Sequence, residues 1–349
     1  MAEITKNAGV VKLQRLVKKY RVILTIALAI AVVGGFIAYD QFNTSGGTKA
    51  SKYVVRQIIK NAKTIHEEAA IKETLGERIE VTREGKEAVS AIWYEPDGYN
   101  SADKLPVFVY IHGGAWISTD ATDVDTYMQD IADRTPCKVV NINYKLLQEK
   151  PFPYQQEEAV DVIKWLIDNA DELKIDPERI VISGGSAGGH ITAGAEILLN
   201  REGIQIAAEI LEVPFLDFAD EPGNDLGIFS GLVNQLVETL SPDADPYDPV
   251  ISPCRAAKED LEGLCDTYFI VGLQDPLYKQ AVRYNELLGS VGGIYTSFKE
   301  FDTNHGYMMD KVDDNGNTVT VQDVKNDRAA FKYKVRLLQH IFYGEEMPD

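Results

Sequence analysis

The sequence predicts an α/β fold, a mainly parallel sheet flanked by helices, carried behind an N-terminal transmembrane helix and a small helical cap. Three observations predict it. Beyond residue 105, β-branched runs alternate with segments of helical period, the order that builds a parallel sheet through crossover helices. The stretch Ile180 to His190, IVISGGSAGGH, passes from such a run through a glycine-flanked serine straight into a helix. Between Arg21 and Asp40 no residue is charged.

At 1.5 Å per residue the uncharged stretch Val22 to Tyr39 spans roughly 27 Å, sufficient for a bilayer core. Lys6, Lys12, Arg15, Lys18, Lys19 and Arg21 precede it, against the single acid Glu3. This flank predicts a cytoplasmic tail over 1–21, a signal anchor over 22–39 and a body outside the cell membrane. The competing reading is a cleaved signal peptide and a secreted body. It calls for a shorter apolar region and a small-residue cleavage site, where this chain has Phe36-Ile37-Ala38-Tyr39. A buried core helix would show a polar face, and none is present. The 349-residue chain carries a net charge of −19 despite its basic start, so the body is strongly acidic and repels nucleic acid. Its 45% apolar composition is that of a globular protein.

A Ser/Thr/Gly-rich linker occupies 40–50, and the domain proper runs over 51–349 without a clean break after residue 75. Val54, Ile58, Ile65 and Ala69 recur at helical spacing, which predicts cap helices over about 51–75. Strands are expected at Arg78–Val81 and Ala88–Tyr94, set off by the turns Glu84-Gly85 and Pro96-Asp97-Gly98. Pro106–Ile111 and Lys138–Asn143 read as buried strands. A helix over Gln156–Ala170 presents Ala159, Ile163, Leu166 and Ala170 on one face. Ile180–Ser183 is a strand and Ala187–Asn200 its following helix. Ala207–Val213, Thr267–Val271 and Ile294–Phe301 are further strands. A closing helix over Ala329–Phe342 aligns Phe331, Val335, Leu338 and Phe342.

Between Pro214 and Arg255 the chain is acidic and irregular, with one helix expected around Leu232, Leu236 and Leu240. Asp310–Thr318 reads as a polar turn. Setting Gly316 at the required glycine of a calcium loop would put Lys311 at the first ligand position. Cys137, Cys254 and Cys265 are too few for a disulfide framework, and no His/Cys cluster points to a metal.

A serine at the tip of a strand-to-helix turn sits in strained backbone, so its neighbours must be nearly free of side chains. Gly184, Gly185, Gly188 and Gly189 meet that demand around Ser186. The helix that starts at Ala187 aims its unpaired amides at the place where an oxyanion would form. A phosphate-binding loop is the alternative, but the Lys-Ser/Thr of a P-loop is missing. A serine hydroxyl needs a base. His66 lies on the polar side of the N-terminal helices, His190 inside the helix after Ser186, His340 in the last helix, and His112 at the head of HGGAW. His305, in FDTNHGY, follows a late strand and is the candidate base. Asp275 follows the strand Thr267–Val271 and lies between serine and histidine in the chain, which makes it the candidate acid; Asp217 and Asp302 are the fallbacks. Gly113 and Gly114, directly after a strand, would donate backbone amides to an oxyanion together with Ala187.

With these residues in view, the chain resembles the hormone-sensitive-lipase and acetyl-esterase branch of the α/β-hydrolases. Its HGGAW, NYKLLQE, GGSAGG, DPL and HGY correspond to that branch's HGGGW, DYRLAPE, GDSAGG, DPL and HGF. The likeness runs over Leu105 to Tyr307. Ala115, Lys145 and Gly185 stand where the branch has glycine, arginine and aspartate. HGGxW and GxSAGG are also shared by secreted carbohydrate esterases and aryl formamidases. The resemblance implies an α/β-hydrolase fold and a serine-dependent carboxylic-ester hydrolase acting on short acyl or acetyl esters, without metal or organic cofactor. Small-molecule or glycan esters at the cell surface are the expected substrates. An amidase or peptidase with the same triad is the alternative within enzymes, and a non-catalytic surface binding protein on the same scaffold is the alternative outside them.

Overall fold

The computed structural model describes residues 71–99, 104–219, 233, 236–308, 311–312 and 318–349. The expectations for the basic tail, the anchor, the linker and the cap helices over 51–70 lie outside these residues. So do Leu232 and, of the polar turn expected over Asp310–Thr318, residues 310 and 313–317. Residues 71–75, included in the cap by their spacing, form a turn and bends instead of helix, with Ile71 and Leu75 exposed. Among the described residues, no helix is long and apolar enough to cross a membrane.

Eight strands form one sheet. They are β1 (Glu77–Val81), β2 (Val89–Tyr94), β3 (Leu105–Ile111), β4 (Lys138–Asn143), β5 (Ile175–Gly185), β6 (Ala208–Glu212), β7 (Thr267–Gly272) and β8 (Thr296–Phe301). Their order is β1-β2-β4-β3-β5-β6-β7-β8. The hairpin strands β1 and β2 run antiparallel at one edge, and all pairings from β4 to β8 are parallel. Among the described residues the helices of ten residues or more are α1 (Asp125–Arg134), α2 (Tyr154–Asp168), α3 (Ala187–Arg201), α4 (Tyr278–Gly289) and α5 (Lys325–Tyr343). A two-stranded ribbon pairs β9 (Lys311–Val312) with β10 (Thr318–Val319), so strand takes the place of turn at Lys311, Val312 and Thr318 of the segment Asp310–Thr318 that the sequence predicts as a polar turn.

The two-residue period of the strands divides the core. Val107, Val109, Ile111, Ile180 and Ile182 pack with Ile163 of α2 and Ile191 of α3. Phe108, Tyr110, Val139 and Val181 face Met128 and Ile131 of α1 and Phe331 and Leu338 of α5. Leu211, Phe269 and Val271 meet Ala281, Tyr284 and Leu288 of α4. The helices α1 and α4 were not anticipated from the sequence. Their apolar stripes are narrow, Tyr127, Met128, Ile131 and Ala132 in one and Ala281, Tyr284 and Leu288 in the other. The rest of α1 is polar and α4 interleaves Lys279, Arg283, Asn285 and Glu286 with its apolar residues, so packing on the sheet, not a broad apolar stripe, stabilises them.

From β3 the chain crosses to β4 on one side, then returns past β3 to β5 and continues on the other. The strand order therefore reverses between β3 and β5. Their connections leave on opposite faces, and a crevice opens at their carboxyl ends.

Candidate active site

That crevice is where the predicted residues meet. Ser186 follows β5 and caps α3 with φ 59° and ψ −115°, a sparsely populated conformation for a residue with a side chain. Three backbone bonds hold it there. Its N–H donates to Glu212 O at 2.9 Å, and its carbonyl accepts from His190 N at 3.2 Å and Phe215 N at 3.1 Å. The turn closes only because α3 begins against β3: a Cβ on Gly188 would lie 2.0 Å from Ile111 O and 2.6 Å from His112 O.

His305 lies in the loop after β8, with Nε2 2.7 Å from Ser186 Oγ. Its Nδ1 is 3.0 Å from each carboxylate oxygen of Asp275, which follows β7. Asp275 Oδ1 also accepts from Leu277 N–H at 2.7 Å, a second contact that holds the carboxylate independently of the histidine. The histidine side chain is 37% exposed and the aspartate side chain 1%, so His305 is open to the crevice while Asp275 is shielded from it. An Nδ1–H tautomer directed at Asp275 leaves Nε2 free to accept the serine proton.

The fallback acids are occupied elsewhere. Asp217, after β6, is buried against Arg255, whose Nε lies 2.9 and 3.0 Å from its two oxygens, and Arg283, 3.2 Å away. Asp302 is exposed and accepts from Gln274 and Asn326.

Gly113 sits beside the nucleophile; a Cβ there would lie 3.4 Å from Ser186 Cβ. Its carbonyl accepts from His112 Nδ1 at 2.8 Å, Thr119 Oγ1 at 2.8 Å and Tyr144 Oη at 3.1 Å. Because a trans peptide is planar, fixing this oxygen fixes the Gly114 N–H on the opposite side. Gly114 has φ 107°, which glycine adopts freely, whereas Ala115 and Trp116 follow at 51° and 62°, at a steric cost. Among the described residues the amides of Gly113 and Gly114 donate to no acceptor. The Ala187 N–H is the first of α3 and has no partner within the helix. These three amides and the helix dipole can stabilise a developing oxyanion.

The other described histidines make other contacts. His190 is fully buried; Trp116 Nε1–H donates to its Nδ1 at 3.0 Å, and its own Nε2–H donates to Ile251 O at 2.9 Å. Burial lowers its pKa to about 3, so it stays neutral and pins the HGGAW loop to α3. His112 stacks on Tyr144 with ring centroids 4.3 Å apart. His340 is 2.6 Å from Glu345 O at the end of α5. His66 lies outside the described residues. The sequence reading missed the roles of Thr119, Tyr144 and Trp116 around the donor loop. NYK and HGGAW contained the signal for the last two.

The arrangement of a serine, a histidine, a buried aspartate and a ring of free amides suits acyl transfer. Residues 108–309 match the profile of an alpha/beta hydrolase fold family. The arylesterase of Saccharolobus solfataricus is 30% identical over 208 residues, covering 57% of this chain and 67% of the relative. Carboxylesterase NlhH of Mycobacterium tuberculosis is 30% identical over 219 residues, covering 59% and 67%. The fold is similar to crystal structures of carboxyl esterase 2 of Tuber melanosporum, with TM-score 0.66, 20% identity and coverage of 78% and 88%. It is likewise similar to a hyperthermophilic esterase of Pyrobaculum calidifontis, with TM-score 0.63, 24% identity and coverage of 83% and 91%. The chain thus belongs to the alpha/beta hydrolase fold family, within its hormone-sensitive-lipase-like branch of serine esterases.

Proposed function

We propose that the protein hydrolyses small carboxylic esters with short acyl groups, acetyl esters foremost, through Ser186, His305 and Asp275. Ser186 Oγ attacks the acyl carbonyl as His305 Nε2 takes its proton, and the oxyanion rests on the amides of Gly113, Gly114 and Ala187. Collapse of the tetrahedral intermediate expels the alcohol, which takes the proton back from His305. Water then gives a proton to the same nitrogen, attacks the acyl-serine and releases the carboxylic acid, restoring Ser186. Asp275 holds the imidazole and stabilises its charged form throughout. The observation that carries this reading is the pair of contacts made by His305, 2.7 Å to Ser186 Oγ and 3.0 Å to Asp275. The names of the curated relatives, an arylesterase and a carboxylesterase, support esters over amides.

The full-length protein in detergent should hydrolyse p-nitrophenyl acetate, and Ser186→Ala should lower turnover to background while the fold persists. Turnover that survives Ser186→Ala would refute the mechanism; its absence from the parent protein would favour a binding role. A matched p-nitroanilide tests amide cleavage.

The reading extends to location. The uncharged run Val22–Tyr39 behind six basic residues supports an uncleaved anchor with the hydrolase domain outside, where acetylated glycans are accessible substrates. An intact-mass measurement of the mature protein tests it, and an N-terminus near Asp40 would reject the anchor.

A further inference from the structure

Behind the nucleophile lies a charged pair that the hydrolytic mechanism does not use. Glu212 ends β6 and Lys334 lies on α5; both side chains are fully buried and in direct contact. The Glu212 carboxylate also accepts from the Tyr307 hydroxyl, from Tyr127 Oη at 3.1 Å and from Ser183 Oγ at 3.5 Å. Lys334 Nζ stands 4.6 Å from the ring centroid of Phe108 and 4.7 Å from that of Tyr110, both on β3. A buried ion pair of this kind adds little net stability over apolar residues, because desolvation offsets the attraction. Its position points to another use.

Three connections make Glu212 central. Its backbone carbonyl accepts from Ser186 N–H at 2.9 Å. Its side chain holds Tyr307, two residues beyond His305. It is also the register partner of Gly185, where the related branch carries an aspartate. A Cβ at Gly185 would lie 2.9 Å from Met308 Cε and 3.1 Å from Tyr110 Oη, so this chain fills that space from neighbouring elements. We infer that Glu212 is a positioning residue: one side chain, charge-balanced by Lys334, fixes the His305 loop through Tyr307, while the same residue's backbone fixes Ser186. This inference rests on the proposed roles of Ser186 and His305. Burial pushes the Tyr127 and Tyr307 hydroxyls well up in pKa, so both stay protonated as donors.

Removing either charge would strand the other in the core, so the test removes single hydroxyls instead. Tyr307→Phe and Tyr127→Phe each take one donor from Glu212 with little change of volume. Tyr307 belongs to the loop of the base, whereas Tyr127 belongs to α1, which carries no reacting group. Tyr307→Phe should lower kcat for p-nitrophenyl acetate about tenfold with KM within about twofold, since a small misplacement of the base costs rate more than binding. Labelling of Ser186 by a fluorophosphonate should slow in parallel. Tyr127→Phe should lose similar thermal stability and keep kcat within about twofold. Equal effects of the two variants on kcat, or none, would overturn the positioning role. Turnover that persists in Ser186→Ala would overturn the catalytic reading itself, so the two failures are separable.

Discussion

Glu209 illustrates how a buried carboxylate should set the pH dependence of stability. It lies in β6, fully buried, with Oε1 accepting from Thr267 Oγ1–H at 2.9 Å and Oε2 without a partner among the described residues. Burial, reinforced by the nearby Glu196 carboxylate, raises its pKa from 4.5 to about 8. The native state therefore binds this proton more tightly than the unfolded chain does. Its contribution is fully present below pH 4.5 and is lost as pH rises toward 8. The two values differ by about 3.5 pH units, each worth about 1.4 kcal/mol, so the stability lost relative to acid conditions is roughly 3 kcal/mol at pH 7, where the native carboxyl is still mostly protonated, and on the order of 5 kcal/mol above pH 8. Glu209→Gln keeps the acceptor for Thr267 and removes the charge. The expected outcome is equal stability of the two proteins near pH 4.5 and an advantage for the variant of roughly 2–5 kcal/mol at pH 8.5. Urea unfolding followed by circular dichroism at pH 4.5, 7 and 8.5 measures it. His190, also buried, titrates differently in the two states, but it is common to both proteins and drops out of the difference. A difference in stability that does not change with pH, or a variant less stable at pH 8.5, would refute the reasoning.

Three further variants probe the site and its turn. Asp275→Asn should lower kcat about 10⁴-fold by favouring the wrong tautomer of His305. Asp217→Asn should stay within about tenfold of the parent rate while losing roughly 1–3 kcal/mol of stability, because Arg255 and Arg283 lose their anion. Steady-state kinetics on p-nitrophenyl acetate and urea unfolding of both variants separate the roles, and a comparable loss of rate in both would contradict the assignment. Gly188→Ala should cost roughly 3 kcal/mol or more, since its Cβ would meet the carbonyls of Ile111 and His112 at 2.0 and 2.6 Å. A melting temperature equal to the parent's would show that the turn yields more easily than this packing allows.

Much of the architecture was legible because its signals are local. Alternation placed the eight strands of the sheet to within a few residues, except β5, which begins five residues earlier than expected, at Ile175. There the segment Asp176 to Arg179 is polar and hides the strand, and the pairing with β3 shifts between Leu105 and Val107. The glycines around Ser186 and after β3 marked the tight turn into α3 and the loop beside it, because a close approach of backbones leaves few residue types able to serve. Lys334 also carried a signal that was passed over. It sits on the stripe of Phe331, Val335 and Leu338, where a surface lysine would not belong.

The chain by itself determined which segments become strands, where a strained serine must sit, and which loops could present a base, an acid and free amides. Periodicity and glycine spacing act over a few residues, and a sequence displays them directly. Only the tertiary structure decided which of three loop aspartates faces His305, since Asp217, Asp275 and Asp302 differ in neighbours brought from far along the chain. Arginines 38 and 66 residues away neutralise Asp217, whereas the end of β7 carries Asp275 to within 3.0 Å of a histidine 30 residues away. The burial of Glu212 with Lys334, 122 residues apart, is likewise a property of the packed sheet and helix. A charge becomes costly, and so functionally constrained, only once folding has removed its water.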